Sequence, residues 1–308
     1  MNGTPVFLHG PRYVLGELAE DHTSVEGLYA RAEEFRLAPD PRLWGWGNVH
    51  RSRRGLAAMA VDSGSATLRT ARVDPSTVDA LVLCSTWVPG PARDHGRFMQ
   101  DVLSGIGLGD IAFYGVNLNR CVNLLAAIDL AGALVASGRH HRVLVVTTDR
   151  VFDEAERMVS YALFSDGAAS CVVTADPHCH DGYRLLGCAS AQDTANLGWS
   201  AEISADLARR VNESLLAPHG MKLGDVAALL HANIFTPLVV MKERQAGFTR
   251  EQIYTDNITR VGHCFAADPL INLVDRTAAG HVRPGRHYLL ASSVPGQRFG
   301  VLLRKLAR

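Results

Sequence analysis

The sequence predicts an α/β protein built from two similar halves. Predicted strands and helices alternate, and the order strand, helix, strand, helix occurs twice along the chain. The predicted strand at 142–149 has a continuous apolar centre, Val143 to Val146, as expected for a strand of a parallel sheet that is covered on both faces. The composition turns polar near Asp176 and Pro177, which indicates a boundary between a first half, 1–175, and a second half, 176–308.

The first half begins with a predicted strand at 4–10 and continues with an Ala-rich segment at 57–71 that favours a helix. A turn sequence, Asp74-Pro75, ends this helix before the apolar strand at 78–86. The remaining predicted elements are a helix at 98–103, a strand at 111–115, a helix from Cys121 to Gly138, the strand at 142–149, and a strand that begins after the turn at Asp166-Gly167.

The second half repeats this alternation. Its predicted elements are a strand at 183–188, a helix at 200–216, a strand at 226–230 that leads directly into His231-Ala232-Asn233, helices at 237–246 and 267–278, and a strand at 287–292. The segment Val261-Gly262-His263-Cys264 precedes the last helix.

The helix that begins at Cys121 is apolar on nearly every face, which predicts that it lies inside the protein. Cys121 lies at the corner between a strand and this helix. Free backbone N–H groups and the positive end of the helix dipole both favour a thiolate at such a position, and Arg120 adds to this bias. A buried structural cysteine is the competing interpretation.

Composition excludes several classes of function. The chain has 31 Lys and Arg against 31 Asp and Glu, so no strong field attracts nucleic acid or an anionic membrane. No apolar run reaches the length of a membrane span, and the N-terminus lacks the pattern of a secretory signal. The six cysteines form no CxxC pair, which favours a reducing compartment, and we expect a cytoplasmic protein.

Two local patterns resemble cofactor sites without their context. The glycines of 105–109 follow a helix and precede a strand, the reverse of a phosphate-binding turn, and we interpret them as a connector. The consecutive residues His178-Cys179-His180-Asp181 rarely converge on one ion, so we expect no metal. The basic cluster at 51–54 favours a solvated loop over a phosphate contact.

Five segments in the same order resemble the thiolase-fold condensing enzymes, and among them the ketoacyl-ACP synthase III branch. The segments are 78–86, the corner at Cys121, Leu163-Phe164-Ser165-Asp166-Gly167-Ala168-Ala169, Leu230-His231-Ala232-Asn233, and Val261-Gly262-His263 before Ala266-Ala267. The resemblance implies a five-layered α/β/α/β/α fold of two duplicated halves and a homodimer. It further implies that Cys121 is the acyl-accepting nucleophile and that His231 is the catalytic histidine.

His263 occupies the position at which this branch normally has an asparagine. Related elongating ketosynthases use one cysteine and two histidines, so the change is compatible with condensation, although it removes the main reason for expecting an ordinary fatty-acid initiation enzyme. We therefore predict an acyl-Cys121 thioester, formed from acyl-CoA or an acyl carrier protein without a further cofactor, and decarboxylative Claisen condensation with a malonyl-type donor in specialised metabolism. Non-decarboxylative transfer to an alcohol or amine, with His231 as general base, is one alternative. A catalytically silent partner of an active homologue is the other.

The resemblance also suggests residues that bind the substrate. Trp44 and Arg157 lie roughly where family members contact the adenine end of coenzyme A, and we assign Asn233 to substrate binding with them. The backbone N–H groups of Cys121 and of Gly296 are the predicted oxyanion donors. Gly296 is chosen, with Val294 as the alternative, because Pro295 has no N–H to donate.

Overall fold

The structure is a computed structural model that describes residues 4–87, 90–198 and 204–307. The strands are β1 (Val6–Leu15), β2 (Leu18–Asp21), β3 (Asn48–Arg51), β4 (Ala80–Cys84), β5 (Ala112–Val116), β6 (Arg142–Asp149), β7 (Met158–Val159), β8 (Ala162–Leu163), β9 (Gly167–Thr174), β10 (Gly182–Gln192), β11 (Val226–His231), β12 (His287–Val294) and β13 (Gln297–Lys305). The helices are α1 (Leu28–Glu34), α2 (Pro41–Trp44), α3 (Leu56–Ala71), α4 (Ala92–Ile106), α5 (Asn123–Ala136), α6 (Ala205–Leu216), α7 (Thr236–Gln245), α8 (Asp256–Val261) and α9 (Asp268–Ala278).

A nine-stranded sheet organises the described residues, in the order β11-β12-β13-β10-β1-β9-β6-β4-β5. We call β1-β9-β6-β4-β5 the first wing and β11-β12-β13-β10 the second wing. Antiparallel pairing of β1 with β10 joins the two wings. In the first wing β4 is parallel to β5 and β6, and β9 is antiparallel to β6. In the second wing β11 and β12 are parallel and β13 is antiparallel to β12.

The two wings share one topology, which confirms the predicted duplication. Numbered along the chain, the strands of the first wing lie in the order 1-5-4-2-3 across the sheet. The second wing follows the same order without its third strand. Where that strand would lie, Ile253 makes a single parallel bridge to Leu229 of β11. The predicted division between residues 175 and 176 falls in the connection from β9 to β10 and stays a prediction.

Helices α5 and α9 lie between the two wings, because each contacts strands of both. Helices α3 and α4 cover the outer face of the first wing, and α6 and α7 cover the outer face of the second. The layers are therefore α/β/α/β/α, as the resemblance implied. A helix enclosed by two sheets buries all its faces, which explains the uniformly apolar sequence of α5.

Element boundaries differ from the sequence expectations in physically understandable ways. The predicted helix from Cys121 is a 3₁₀ turn at Arg120–Val122 followed by α5, so the regular helix begins two residues later. Helix α4 extends beyond the predicted range 98–103 at both ends. It buries only one face, through Val102 and Ile106, so its exposed first turns lack the apolar pattern that predicts a helix. The expected helix at 200–216 is α6, and its positions 200–203 lie outside the described residues. Within the described ranges, no helix combines the length and apolar composition needed to cross a bilayer.

Candidate active site

Cys121 lies on the 3₁₀ turn that precedes α5, with 8% of its surface exposed. The side chain of Asn123 fixes this corner. Its Oδ1 accepts from the backbone N–H of Asn119 at 2.9 Å, and its Nδ2 donates to the carbonyl of Ser85, just beyond β4, at 3.1 Å. The structure thus places the sulfur at the positive end of α5, as the sequence predicted.

His263 lies next to Cys121 in the fold, and the sulfur acts electrostatically on the imidazole ring. Backbone bonds fix the position of the histidine, since its N–H donates to Leu163 at 2.8 Å and its carbonyl accepts from Ser165 at 2.9 Å. Nδ1 of the ring lies 2.5 Å from Oδ2 of Asp268. Because Nδ1 faces Asp268, Nε2 is the nitrogen that faces Cys121. We call Cys121, His263 and Asp268 the triad.

Asp268 is fully buried at the first residue of α9, and other groups hold its carboxylate in place. Oδ1 accepts from the backbone N–H of Cys264 at 2.7 Å and from Nδ2 of Asn233 at 3.3 Å, while Oδ2 accepts from the backbone N–H of Asn233 at 2.6 Å. The sequence analysis did not identify this residue. The available signal was an acidic residue five positions after His263, at the start of a predicted helix.

The charges of the triad determine the protonation of His263. Burial alone lowers the pKa of an imidazole, but the Asp268 carboxylate and then the Cys121 sulfur overcome this effect and raise the pKa of His263 to about 10. The ring is therefore an imidazolium at neutral pH, hydrogen-bonded to the Asp268 carboxylate and close to the Cys121 sulfur. Such a ring can stabilise a thiolate and later donate a proton to a leaving group.

We expect the His263 ring to remain protonated at about pH 8 and to lose its proton well above the ordinary histidine pKa of 6.5. The pKa of His263 is raised in the folded protein, so protonation of this ring stabilises the fold. That stabilisation is fully present below pH 6.5 and disappears as the pH rises through about 10. Asp268→Asn should bring the titration down, since burial remains while the carboxylate charge is lost. The pKa of His263 is measured by ¹⁵N NMR of protein labelled at the histidine side chains, and the His263→Gln variant assigns the signal. Titration near 6.5 in both proteins would contradict the proposed electrostatics.

The structure does not bring His231 to Cys121, contrary to the sequence prediction. Along β11, Leu230 packs in the same cluster as Cys121, whereas Leu229 packs in the cluster on the outer face. Alternation puts His231 on the outer face with Leu229. Its Nδ1 lies 3.0 Å from the carbonyl of Ala232, and its Nε2 lies 2.8 Å from Nζ of Lys242. Both ring nitrogens are therefore engaged away from the triad.

His231 belongs to a buried group of polar and charged residues, which we call the outer cluster: His231, Lys242, Glu243, Ser293 and Arg298. Arg298 contacts both carboxylate oxygens of Glu243, at 2.5 and 3.2 Å, and Lys242 lies 3.1 Å from the same carboxylate. Burial and then the Lys242 charge hold the pKa of His231 far below its usual value. Burial lowers the pKa of Lys242 to about 8. The neutral imidazole is thus a structural member of this cluster.

Glu243→Gln should lower the free energy of unfolding by about 3 kcal/mol, because it leaves Arg298 and Lys242 buried without a counter-charge. Urea denaturation measures the loss. Glu213→Gln, at an exposed position of α6, is the matched control and should change stability by less than about 0.5 kcal/mol. Equal stability of the two variants would show that the outer cluster does not hold the second wing together.

The predicted substrate contacts have other surroundings in the structure. The Asn233 side chain is buried against Asp268, the Gly262 carbonyl and Asn272, so it orients the triad from behind instead of facing a substrate. Arg157 is only 1% exposed and bonds Glu154, Asp166 and a backbone carbonyl, which leaves no surface for coenzyme A. Both assignments are corrected. Trp44 is half-buried, its Nε1 donates to Ala38, and its substrate role stays a proposal.

The turn between β12 and β13 lies against the nucleophile. The Ser292 hydroxyl, at the end of β12, donates to the carbonyl of Cys121 at 3.0 Å. Gly296 has a φ of +69°, and a Cβ there would lie 2.5 Å from the backbone of Asn196, so this turn requires glycine. The Gly296 carbonyl accepts from Asp193. The assignment of oxyanion donation to the N–H groups of Cys121 and Gly296 remains a proposal.

Aromatic side chains line the triad. The Phe164 ring centroid lies 4.7 Å from that of His263 and 4.5 Å from that of Phe265. Burial and then the charge of Cys121 raise the pKa of Tyr161, whereas Arg120 lowers it, so the phenol lies close to both side chains. A largely apolar groove of about 700 Å³ begins nearby, at Ser85 and Asn117, and runs between α4 and β5.

The arrangement contains a nucleophile, an acid–base group and an orienting carboxylate, which together suffice for acyl transfer chemistry. Among the described residues, no group of three His, Cys, Asp or Glu side chains is placed to hold a metal ion.

Comparisons with known proteins agree with the fold. The family model described as 3-oxoacyl-[acyl-carrier-protein (ACP)] synthase III matches residues 117–193, which include Cys121. The chain is 25% identical over 274 residues to beta-ketoacyl-[acyl-carrier-protein] synthase III 3 of Streptomyces coelicolor, with 79% of this chain and 80% of that protein covered.

Solved structures with this fold include the acyltransferase ChlB3, with a TM-score of 0.81, 19% identity and coverage of 98% of each chain. They also include 3-oxoacyl-[acyl-carrier-protein] synthase III from Aquifex aeolicus, with a TM-score of 0.80, 17% identity, and coverage of 97% of this chain and 99% of that chain. At these identities the structural likeness establishes the fold, and the predicted thiolase fold is confirmed.

Proposed function

We propose, from the thiolase fold of this chain and its confirmed resemblance to ketoacyl-ACP synthase III, that the protein is an acyltransferase that carries its acyl group as a thioester on Cys121. The observation that supports this most directly is the triad: one imidazole interacts electrostatically with the sulfur and is oriented by a buried carboxylate. The chemistry then needs no metal or further cofactor beyond the thioester substrate, because nucleophile, acid and base all come from the chain.

In the first half-reaction the Cys121 thiolate attacks the carbonyl carbon of an acyl thioester. The bond from that carbon to the donor sulfur breaks, and the departing thiolate takes a proton from the His263 imidazolium. Backbone N–H groups at the start of α5 are suited to stabilise the oxyanion formed on the way. The products are acyl-Cys121, a neutral His263 and a free donor thiol, so atoms and charges balance.

In the second half-reaction the neutral His263 accepts a proton from an acceptor hydroxyl, amine or thiol as that group attacks acyl-Cys121. The bond to Cys121 breaks, the sulfur leaves as a thiolate, and the imidazolium beside it is restored. Through its 2.5 Å contact with Nδ1, Asp268 orients the ring in both states and stabilises the imidazolium of the unloaded enzyme. This is the acid–base cycle of a cysteine nucleophile with an oriented histidine.

Non-decarboxylative transfer fits this site better than the condensation favoured by the sequence. Condensation was inferred from two imidazoles that support the enolate of a malonyl donor. With His231 on the outer face of β11, His263 is the imidazole that the structure brings to Cys121, and its raised pKa makes it a charged acid–base partner. Condensation stays the second candidate, because the curated relative from Streptomyces coelicolor is named a synthase.

Two features support the expected partners. The groove of about 700 Å³ between α4 and β5 is large enough for an acyl chain delivered by coenzyme A or a carrier protein, and two of its lining residues, Ser85 and Asn117, bond Asn123 beside Cys121. Strand β5 forms one edge of the sheet and exposes Phe113, with Leu118 exposed just beyond it, which supports the proposed homodimer through this edge. All six cysteines are free, which supports the proposed cytoplasmic location.

The adduct itself tests the proposal. The protein is incubated with a panel of acyl-CoAs and weighed intact, and an acceptor such as a phosphopantetheinylated carrier protein is then added. We expect one acyl mass on the enzyme, followed by its loss from the enzyme and the gain of the same mass by the acceptor. Absence of an adduct with every donor would favour the silent-partner alternative and overturn the proposal.

A further inference from the structure

Asp149, the last residue of β6, is a buried carboxylate that the proposed mechanism does not use. It is 1% exposed, and among the described residues no lysine, arginine or histidine side chain lies within ion-pair distance of it. A buried carboxylate without a counter-charge costs free energy, and departures of this kind are concentrated at functional sites. Asp149 therefore needs an explanation beyond the packing of its strand.

Three hydrogen bonds converge on one oxygen of this carboxylate. Oδ1 accepts from the Ser85 hydroxyl at 3.1 Å, and from both the backbone N–H and the hydroxyl of Thr86 at 2.6 Å. Oδ2 lies 3.5 Å from the hydroxyl of Thr147. Hydrogen bonds to an ionised acceptor are shorter and stronger than bonds to a neutral one. The charge of Asp149 thus holds residues 85–87, the segment just beyond β4, which we call the β4 exit.

The β4 exit contacts both the acyl groove and the turn of the nucleophile. Ser85 and Trp87 line the groove, and the backbone N–H of Trp87 donates to the Ser85 hydroxyl oxygen at 3.1 Å. The Ser85 carbonyl accepts from Nδ2 of Asn123, whose Oδ1 holds the backbone N–H of Asn119. One carboxylate is therefore connected, through short series of hydrogen bonds, to the groove wall and to the turn that carries Cys121.

We propose that Asp149 is a positioning residue for acyl loading: while it is ionised, it holds the β4 exit so that the groove and the Cys121 turn stay aligned. The inference rests on the proposed acyl transfer and adds a group that regulates it. When the carboxyl takes up a proton it becomes a donor as well as an acceptor, and a neutral oxygen holds the three donors less strongly. Loading should therefore slow in mildly acidic solution.

The elements packed against β6 surround Asp149 with thiols and with charges that are paired or lie elsewhere. The thiols are those of Cys84 on β4, Cys171 on β9 and Cys264 before α9, and burial raises the pKa of each. The ion pairs are Asp166 with Arg157, Asp268 with His263, and Asp62 of α3 with Arg54. The other charged side chains are Arg69 of α3, which is exposed, Asp129 of α5, which lines a cavity with Cys188 of β10, and Arg150, which lies over the Phe152 ring.

The stability of the fold separates this role from a purely structural one. Burial raises the pKa of Asp149 to about 6, although the bonds from Thr86 and Ser85 act in the opposite direction. Because the ordinary pKa is 3.8, the folded protein loses stability as the pH rises from 3.8 to about 6 and this carboxyl ionises. At neutral pH, Asp149→Asn should therefore leave the fold at least as stable as wild type while it slows loading.

The experiment measures loading rates by intact mass, with the acyl-CoA that loads fastest, and the midpoint of urea unfolding. Wild-type loading should fall about threefold between about pH 7.5 and about pH 5.5, as Asp149 takes up its proton. Asp149→Asn should load roughly 5- to 10-fold more slowly at the higher pH, lose this pH dependence and keep the urea midpoint. Asp79→Asn is the matched control, because Asp79 accepts the backbone N–H groups of His141 and Arg142 at the opposite end of β6. It should keep the wild-type loading rate and pH dependence.

A wild-type pH dependence that persists in Asp149→Asn overturns the proposal. A urea midpoint below that of wild type also overturns it, because the carboxylate would then serve the fold. If wild type forms no adduct with any donor, the proposed function fails, and alkylation of Cys121 by iodoacetamide, measured by intact mass against Cys121→Ala, still tests Asp149. Alkylation should be slower in Asp149→Asn than in wild type, since the β4 exit fixes the Cys121 turn. Equal alkylation rates contradict the inference.

Discussion

Replacing Cys121 with alanine is expected to abolish the acyl adduct and to lower transfer on the order of 10⁴-fold or more. The reason is that both half-reactions pass through the Cys121 thioester, and removal of a nucleophile costs about as much as removal of the whole catalytic unit. Intact-mass analysis after incubation with acyl-CoA measures the adduct, and a carrier-protein acceptor measures transfer.

The control for this variant is Cys171→Ala. Cys171 is fully buried in β9, and burial raises the pKa of its thiol, so it is not a competing nucleophile. This variant should keep the adduct. An adduct that persists in Cys121→Ala with the wild-type yield would show that another side chain accepts the acyl group, and the triad would lose its role.

Changes at His263 and Asp268 are expected to have the second largest effect. His263→Ala removes the acid–base group and should slow both half-reactions by about 10³- to 10⁴-fold, at the upper end of what general acid–base catalysis contributes. Asp268→Asn keeps the shape of the side chain but loses the charge that stabilises the imidazolium. We expect a loss of roughly 10²-fold or more from that change. Single-turnover loading followed by mass spectrometry measures both rates.

Asp275→Asn is the matched control for Asp268, because Asp275 also lies on α9. Asp275 bonds Tyr13, Asn257 and Arg260 instead of the triad. Its replacement should leave loading within about threefold of wild type. If Asp268→Asn loads as fast as Asp275→Asn, the carboxylate does not act on His263, and the contact between them is only structural.

The parts of the fold that follow from local pattern were predicted well. The apolar run of α5, the strand that starts after Asp166-Gly167, and the repeated alternation of strands and helices led to the duplicated α/β fold that the structure has. A helix that is buried on all sides has an almost continuous apolar sequence, so α5, the helix between the wings, could be predicted. The placement of Cys121 at its start follows from the same signature.

The errors arose where one residue decides which face a side chain takes. His231 is the last residue of β11. Because it follows Leu230, its side chain lies on the outer face of the sheet, where it contacts Lys242 and Glu243. A shift of one residue along a strand moves a side chain to the opposite face of the sheet, and the composition of the segment is the same in both cases. The residues of the outer cluster come from four elements, and α7 is far in the chain from β12 and β13, so no local pattern predicts the cluster.

Asp268 was missed for a related reason. Its role depends on the turn from Gly262 to Ala267, which brings His263 back onto the start of α9, and on Asn233, which arrives from the end of β11. The sequence shows an acidic residue at a helix start, which ordinarily interacts favourably with the helix dipole. The three-dimensional structure shows that the same carboxylate also orients an imidazole.

The fate of a malonyl group tests the central claim, transfer through one oriented imidazole, most directly. Protein loaded with an acyl group is mixed with a malonyl thioester labelled in its free carboxyl carbon and with a carrier-protein acceptor, and released carbon dioxide is counted while products are weighed. We predict that acyl groups move intact to the acceptor and that labelled carbon dioxide stays at the background level of the Cys121→Ala variant. Release of one carbon dioxide for each acyl group consumed, with a β-ketoacyl product, would contradict the account and establish condensation.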